Sequence, residues 1–141
     1  MKDDSQMQNP LKQQDSRFNL PDFPAIRPEH VMPALTELLD QYQQGMQHCL
    51  QQTESPGWTM VEQEIAWADA LSRAWSPVSH LNSVADSKAL REVYNSGLER
   101  LTEHENWRQQ HPGICTAFRM LKDSESFAQL SPVQQRIIDL E

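Results

Sequence analysis

Apolar side chains recur at three- and four-residue steps through most of this chain. Val31, Leu35, Leu38, Leu39, Tyr42, Met46, Cys49 and Leu50 form one stripe, which predicts a helix over residues 29–53. Pro33 is expected in its first turn, where a missing amide is harmless. Thr53-Glu-Ser-Pro-Gly57 is a turn signal. Thr59-Met-Val-Glu62 has capping-box spacing and predicts a second helix to about Trp75. That helix carries two apolar faces: Val61, Ile65, Ala68 and Trp75 on one, and Trp67, Leu71, Ala74 and Val78 on the other. Two faces suit a helix sandwiched between neighbours. Pro77 should kink or end it, with helix resuming to about Val84.

Asp86 or Ser87 can cap a third helix, about 87–107, with the stripe Leu90, Val93, Tyr94, Leu98 and Leu101. Pro112 opens a shorter one bearing Ile114, Ala117, Phe118 and Leu121. Ser131-Pro-Val-Gln134 is a capping box with proline at the first helical position. The helix it starts, with Val133 and Ile137, meets Glu141 without a cap and is expected to be a truncated one. No alternating strand pattern, heptad array or internal repeat occurs.

The N-terminus reads differently. Residues 1–17 offer almost nothing to bury and are expected to form a mobile polar tail. Residues 18–28 interleave three prolines with apolar side chains, which predicts an extended strap pinned by Phe18, Leu20, Phe23 and Ile26. The expected fold is therefore all-α: a single bundle of about five to six helices over residues 18–141, including antiparallel hairpins and preceded by the strap. At 141 residues the chain is long enough for one domain with a real core, and four glycines are too few for a turn-rich sandwich or barrel.

Composition narrows the function classes. The formal net charge is −8, which disfavours nucleic acid as a partner, because phosphate binding needs a basic face. No apolar run approaches the ~20 residues of a membrane span, and Met1–Arg17 lacks the apolar stretch of a signal peptide, so neither membrane nor export is expected and the chain is assigned to the cytoplasm. Cys49 and Cys115 are expected as two buried thiols rather than a disulfide. Residues 28–72 contain no Lys or Arg but seven acidic residues, an acidic face that aids solubility or steers basic peptides.

Candidate chemistry is sparse. His104-Glu-Asn-Trp-Arg108 approaches the zinc-protease motif H-E-x-x-H, but Arg108 stands where the second imidazole is needed, and a cation there repels a metal. His104 is instead expected on the surface near a helix end, where a charged imidazole suits the dipole. His111 and Cys115 are one turn apart, but Pro112 starts a helix between them and two ligands are too few. Ser76, Ser79 and His80 lack the carboxylate and oxyanion donors of a nucleophilic site. Trp58, Trp67, Trp75 and Trp107 are expected in the core.

Four stretches carry a resemblance. Ser72-Arg-Ala-Trp-Ser-Pro-Val-Ser-His-Leu-Asn-Ser-Val84, with Ile26-Arg-Pro-Glu-His-Val-Met-Pro-Ala34, Leu90-Arg-Glu-Val-Tyr94 and Phe118-Arg-Met-Leu-Lys-Asp123, is similar to the N-terminal part of bacterial members of the thimet oligopeptidase and neurolysin family of zinc metallopeptidases. Asn9-Pro-Leu11 fits as well, so the likeness spans about residues 9–139, with the six or so residues after Leu11 resembling an insertion. The resemblance implies an almost all-helical enzyme in which two lobes flank a channel for short peptides, with zinc held beyond the region matched. It implies no catalytic or zinc-binding residue in this chain. What it suggests is a non-catalytic wall of that channel, partnered by the catalytic lobe and, through the channel, by short peptides. Ser76, His80 and Asn82 around Pro77 are then the polar groups expected to reach the channel, the local alternative being that they and Ser79 satisfy and hold the bend itself. Two other readings stand beside it. One is a stand-alone helical module that takes peptides in a groove. The other is self-association through an exposed apolar face, with Trp67, Leu71 and Ala74 as the candidate surface.

Overall fold

A computed structural model describes residues 9–12, 20–52, 55–85 and 87–141. The described residues form six α-helices: α1 (Pro28–Gln52), α2 (Trp58–Val84), α3 (Lys88–Gln110), α4 (Pro112–Lys122), α5 (Glu125–Gln129) and α6 (Pro132–Asp139). No strand occurs among them. The all-α bundle expected from the periodicity is what forms.

The first three helices make the body. Tyr42 meets Glu64 and Cys49 meets Gln63, so α1 and α2 run antiparallel. Trp75 stacks on Tyr94 while Glu64 meets Arg108, so α2 and α3 are antiparallel as well. The core is divided along this axis. One cluster gathers Val31, Leu35 and Leu39 of α1 with Leu71, Ala74 and Val78 of α2. The other gathers Met46, Met60 and Val61 with Ile114, Phe118 and Leu121 of α4 and Ile138 of α6. The three long helices contribute to both, and the second cluster ties the short C-terminal helices to them.

Side-chain caps mark the starts of α3, α4 and α6. Ser87 Oγ accepts from Leu90 N at 3.1 Å, and Ser131 with Gln134 forms the reciprocal capping box. His111 Nδ1 accepts from Gly113 N and Ile114 N at 3.1 and 3.3 Å and so caps α4. Two local expectations fail. Thr59 is not a cap: α2 starts at Trp58 with Gly57 as N-cap and no side-chain bond, because the helix begins two residues earlier than the box requires. Pro33 lies in the second turn of α1, which starts at Pro28. It is tolerated because the amide it removes would bond the carbonyl of Glu29 on the exposed side. Pro77 does not end α2, which continues to Val84 as expected; its ring is buried, so apolar contact offsets the lost ladder bond.

The N-terminal segment is more involved than its composition suggests. Asn9–Lys12 forms a turn on α1, with Leu11 only 5% exposed in the first cluster. Asn9 Nδ2 donates to the carbonyl of His30 at 2.9 Å, and its Oδ1 accepts from Leu11 N at 3.0 Å. Leu11 therefore does bury; residues 1–8 and 13–17 lie outside the described residues. In the strap, Phe23–Ala25 makes a single 3-10 turn rather than extended chain. Phe23 and Ile26 are half-buried, Leu20 points outward at 63% exposure, and Phe18 lies outside the described residues. Cys49 and Cys115 are free thiols, but Cys115 is exposed and Cys49 only half-buried. Trp67, Leu71 and Ala74, the face considered for self-association, pack into the two clusters.

Close helix packing leaves no room for a side chain at Gly97. A Cβ there would lie 2.6 Å from Trp75 Cζ3 and 2.9 Å from Leu35 Cδ1. Neither neighbour can yield: Leu35 is fully buried, and Trp75 is stacked on Tyr94 at 5.1 Å and 15°. Gly→Ala in an open helix gains about 1 kcal/mol. Gly97→Ala is instead expected to lose about 1–3 kcal/mol through overpacking, read as a lowered midpoint in urea unfolding. A raised midpoint would show that the interface is loose.

Candidate functional site

Between the two apolar clusters lies a polar layer. Its register comes from the helices themselves: Tyr42 falls between Leu39 and Met46 on α1, Glu64 between Val61 and Leu71 on α2, and His104 and Arg108 follow Gly97 and Leu101 on α3. Glu64 is 5% exposed and His104 6%. Glu64 Oε1 accepts from Tyr42 Oη at 2.6 Å and from Arg108 Nε at 2.7 Å. Arg108 Nη2 also donates to Glu141, and its guanidinium carbon lies 6.0 Å from the Phe118 ring centroid. One carboxylate thus ties three helices, and one guanidinium ties α3 to the residues after α6.

The electrostatics follow from this burial. Tyr42 is pushed well above the usual phenol range by desolvation and by its bond to the Glu64 carboxylate. Burial opposes charge on Arg108, but the bonds and negative charge of Glu64 and Glu141 outweigh it, so the guanidinium stays firmly protonated. His104 moves the other way. Burial lowers its pKa, helped by the Arg108 charge and only partly countered by Glu105 and Glu64. Its ring packs edge-on to Tyr42 at 4.5 Å and stacks on Trp107 at 5.6 Å, while Gln43 Nε2 donates to Nδ1 at 3.3 Å. An acceptor at Nδ1 means a neutral ring. The surface-exposed, charged His104 expected from its place near a helix end is therefore corrected: the ring is buried against Tyr42 and Trp107, and that burial, with a smaller push from Arg108, lowers its pKa.

This layer floors a cleft of about 670 Å³ between α2 and α3, walled by Ile65, Ala68, Trp75 and Leu101 and closed at one end by Ile137 and Leu140. The residues do not fit a zinc ion. The cation at Arg108 is engaged by two carboxylates, and among the described residues no three His, Cys, Asp or Glu side chains converge as metal ligands do. His111 is spent on its capping role, and Cys115 Sγ faces the carbonyl of Gln109 at 3.7 Å.

The residues singled out around Pro77 separate. Ser76 and His80, one turn apart and exposed, border a shallow pocket of about 440 Å³ with Pro21, Phe23, Arg73 and Pro77. Phe23 lies against the His80 ring at 5.4 Å. Asn82 is half-buried outside this pocket, and its Oδ1 is buried without a hydrogen-bond partner among the described residues. The hydroxyl that bonds backbone here is that of Ser83, to the carbonyl of Ser79 at 3.0 Å. No helix among the described residues is long and apolar enough to cross a membrane.

Sequence comparisons place these features in a family. The model of the neurolysin/thimet oligopeptidase N-terminal domain matches residues 35–141. Oligopeptidase A of Salmonella typhimurium and of Escherichia coli are each 40% identical over 134 residues, and that of Haemophilus influenzae is 38% identical over 133. Each alignment covers 94% of this chain but 19% of the relative, so the chain spans about a fifth of the length of these relatives. No solved structure matches it.

Removing one member of the polar layer strands the others. Arg108→Leu leaves the Glu64 charge buried and is expected to cost about 3–5 kcal/mol. Glu64→Leu with Arg108→Leu should cost clearly less than the two single changes added together, a coupling readable in a double-mutant cycle of urea unfolding. Additive losses would mean that the pair is not coupled. His104 sets a pH dependence. Its folded pKa lies below the unfolded ~6.5, so the unfolded chain takes up the proton first as pH falls. Its contribution to stability is complete above about pH 6.5 and declines below it until the folded pKa is passed. Thermal melts between about pH 7 and 5 should show a shallower decline for His104→Gln than for the parent chain; equal slopes would assign the titration to another group.

Proposed function

This chain belongs to the neurolysin/thimet oligopeptidase N-terminal-domain family, and from that premise we propose that it is the helical, non-catalytic part of an oligopeptidase A-like zinc peptidase of the cytoplasm. Its role is to wall the channel through which short peptides reach a metal site built elsewhere in the longer protein. The observation that carries the reading is the alignment itself: nearly the whole of this chain corresponds to about a fifth of each oligopeptidase A.

The chemistry of the residues agrees with a scaffold. Hydrolysis by a metal-bound water needs open coordination and a carboxylate to take the proton. The buried carboxylate here, Glu64, is engaged by a phenol and a guanidinium and serves packing. The groups offered to a passing peptide are Ser76 and His80, exposed on α2 beside the half-buried Phe23. They can donate and accept hydrogen bonds along an extended backbone.

Replacing the matching part of the Escherichia coli oligopeptidase A by this chain tests the proposal. The chimera is expected to fold and to cleave a quenched fluorogenic peptide, whereas the chain alone, supplied with zinc, is expected to give no turnover. Chelator-sensitive cleavage by the chain alone would overturn the reading, as would a folded chimera without activity.

A further inference from the structure

The cleft between α2 and α3 is more open than its apolar walls warrant. Ile65 is 44% exposed and Ala68 is exposed beside it, on the helix face expected from the sequence to pack against a neighbour. Across the cleft stands Leu101 of α3. Two antiparallel helices with apolar residues along their shared groove present the surface on which a further helix packs.

Charge narrows the occupant. Glu64, Glu105 and Glu141 border the cleft against Arg108 alone. Arg108 pairs with Glu64 and Glu141, so the carboxylate that an incoming segment meets at the edge of the apolar surface is Glu105, exposed on α3. A second copy of this chain would bring the same carboxylates and a net charge of −8, which disfavours pairing through this face. The curated relatives are about five times the length of the aligned region, so helices of the same polypeptide are at hand at high effective concentration. We propose that the α2–α3 cleft seats an amphipathic helix, apolar on its buried face and basic along its flank, supplied by the rest of the longer peptidase. The inference rests on the reading above and adds the surface by which this domain joins its partner.

The test compares the isolated chain with the chimera. Ile65→Glu with Ala68→Glu alters exposed positions, so the isolated chain should keep its Tm. In the chimera the same pair should lower Tm by roughly 2–4 °C, while Val133→Glu, exposed and outside the cleft, should not. Glu105→Lys should lower the chimera's Tm at low salt, by an amount that shrinks as salt is raised. An unchanged Tm for the Ile65/Ala68 chimera would overturn the inference while leaving the channel-wall reading intact, since the parent chimera would still fold and cleave. Failure of the parent chimera to fold would remove both. A dimer of the isolated chain, abolished by the Ile65/Ala68 pair, together with an unaffected chimera, would give the cleft to a second copy and overturn the proposal. A Glu105→Lys chimera that gains stability at low salt would overturn the basic flank.

Discussion

The fold turns on a carboxylate placed where the helix pattern calls for an apolar side chain. Glu64 sits in register with Val61 and Leu71 and is driven into the core by its own helix. A charge there is tolerated only if it is paired and its lone pairs are used, because desolvating an isolated carboxylate is costly. Tyr42 from α1 and Arg108 from α3 meet that demand at 2.6 and 2.7 Å. The requirement runs both ways. Arg108 is half-buried and must be matched, which brings Glu141 to it and anchors the residues after α6. The relative rotation of three long helices is thereby set by hydrogen-bond geometry, which non-directional apolar contact leaves loose.

That layer also separates two cores of different make-up. The first is built from long helices alone, α1 to α3, with Leu11 added from the N-terminal turn. The second draws on α4 and α6, whose few turns would not hold as helices without tertiary contact. Phe118, Leu121 and Ile138 lend that contact. His104 lies at the junction, held neutral between Tyr42 and Trp107, so its protonation state is tied to the fit of all three long helices.

Helix positions were legible because each long helix repeats its stripe over several turns; the starts of α4 and α6 were legible because proline and capping side chains mark them locally. What was not legible is non-local. The start of α2 lies two residues before the one that Thr59 and Glu62 signal, and the persistence of α2 through Pro77 depends on burial supplied by other helices. α5, five residues long, leaves too short a pattern to read. For the polar layer, a signal was present: Glu64, His104 and Arg108 all occupy buried-face spacings. A charged residue in an apolar register reads as surface until its partner is known, and the partner of Glu64 lies 44 residues away. Likewise Ser76 and His80 share a pocket because they are one turn apart, whereas Asn82, six residues beyond Ser76, turns to another face.

The physical boundary of this domain is wider than the stretch the family model matches. That match begins at Leu35, yet Leu11, Val31 and Ala34 lie in the same cluster as Leu35 itself. Asn9 fixes the turn by bonding the carbonyl of His30, and Lys12 pairs with Glu37, so the segment is held by polar contacts at both ends of its buried leucine. Phe23 extends the same dependence to the strap, since it supplies the ring against which His80 is held. Core, strap and the pocket at Pro77 therefore stand or fall together. A domain cut at the start of the family match would lose Leu11, Val31 and Ala34 from its first cluster and the aromatic wall beside Ser76 and His80, which joins the packing of the N-terminal residues to whatever the exposed face of α2 does.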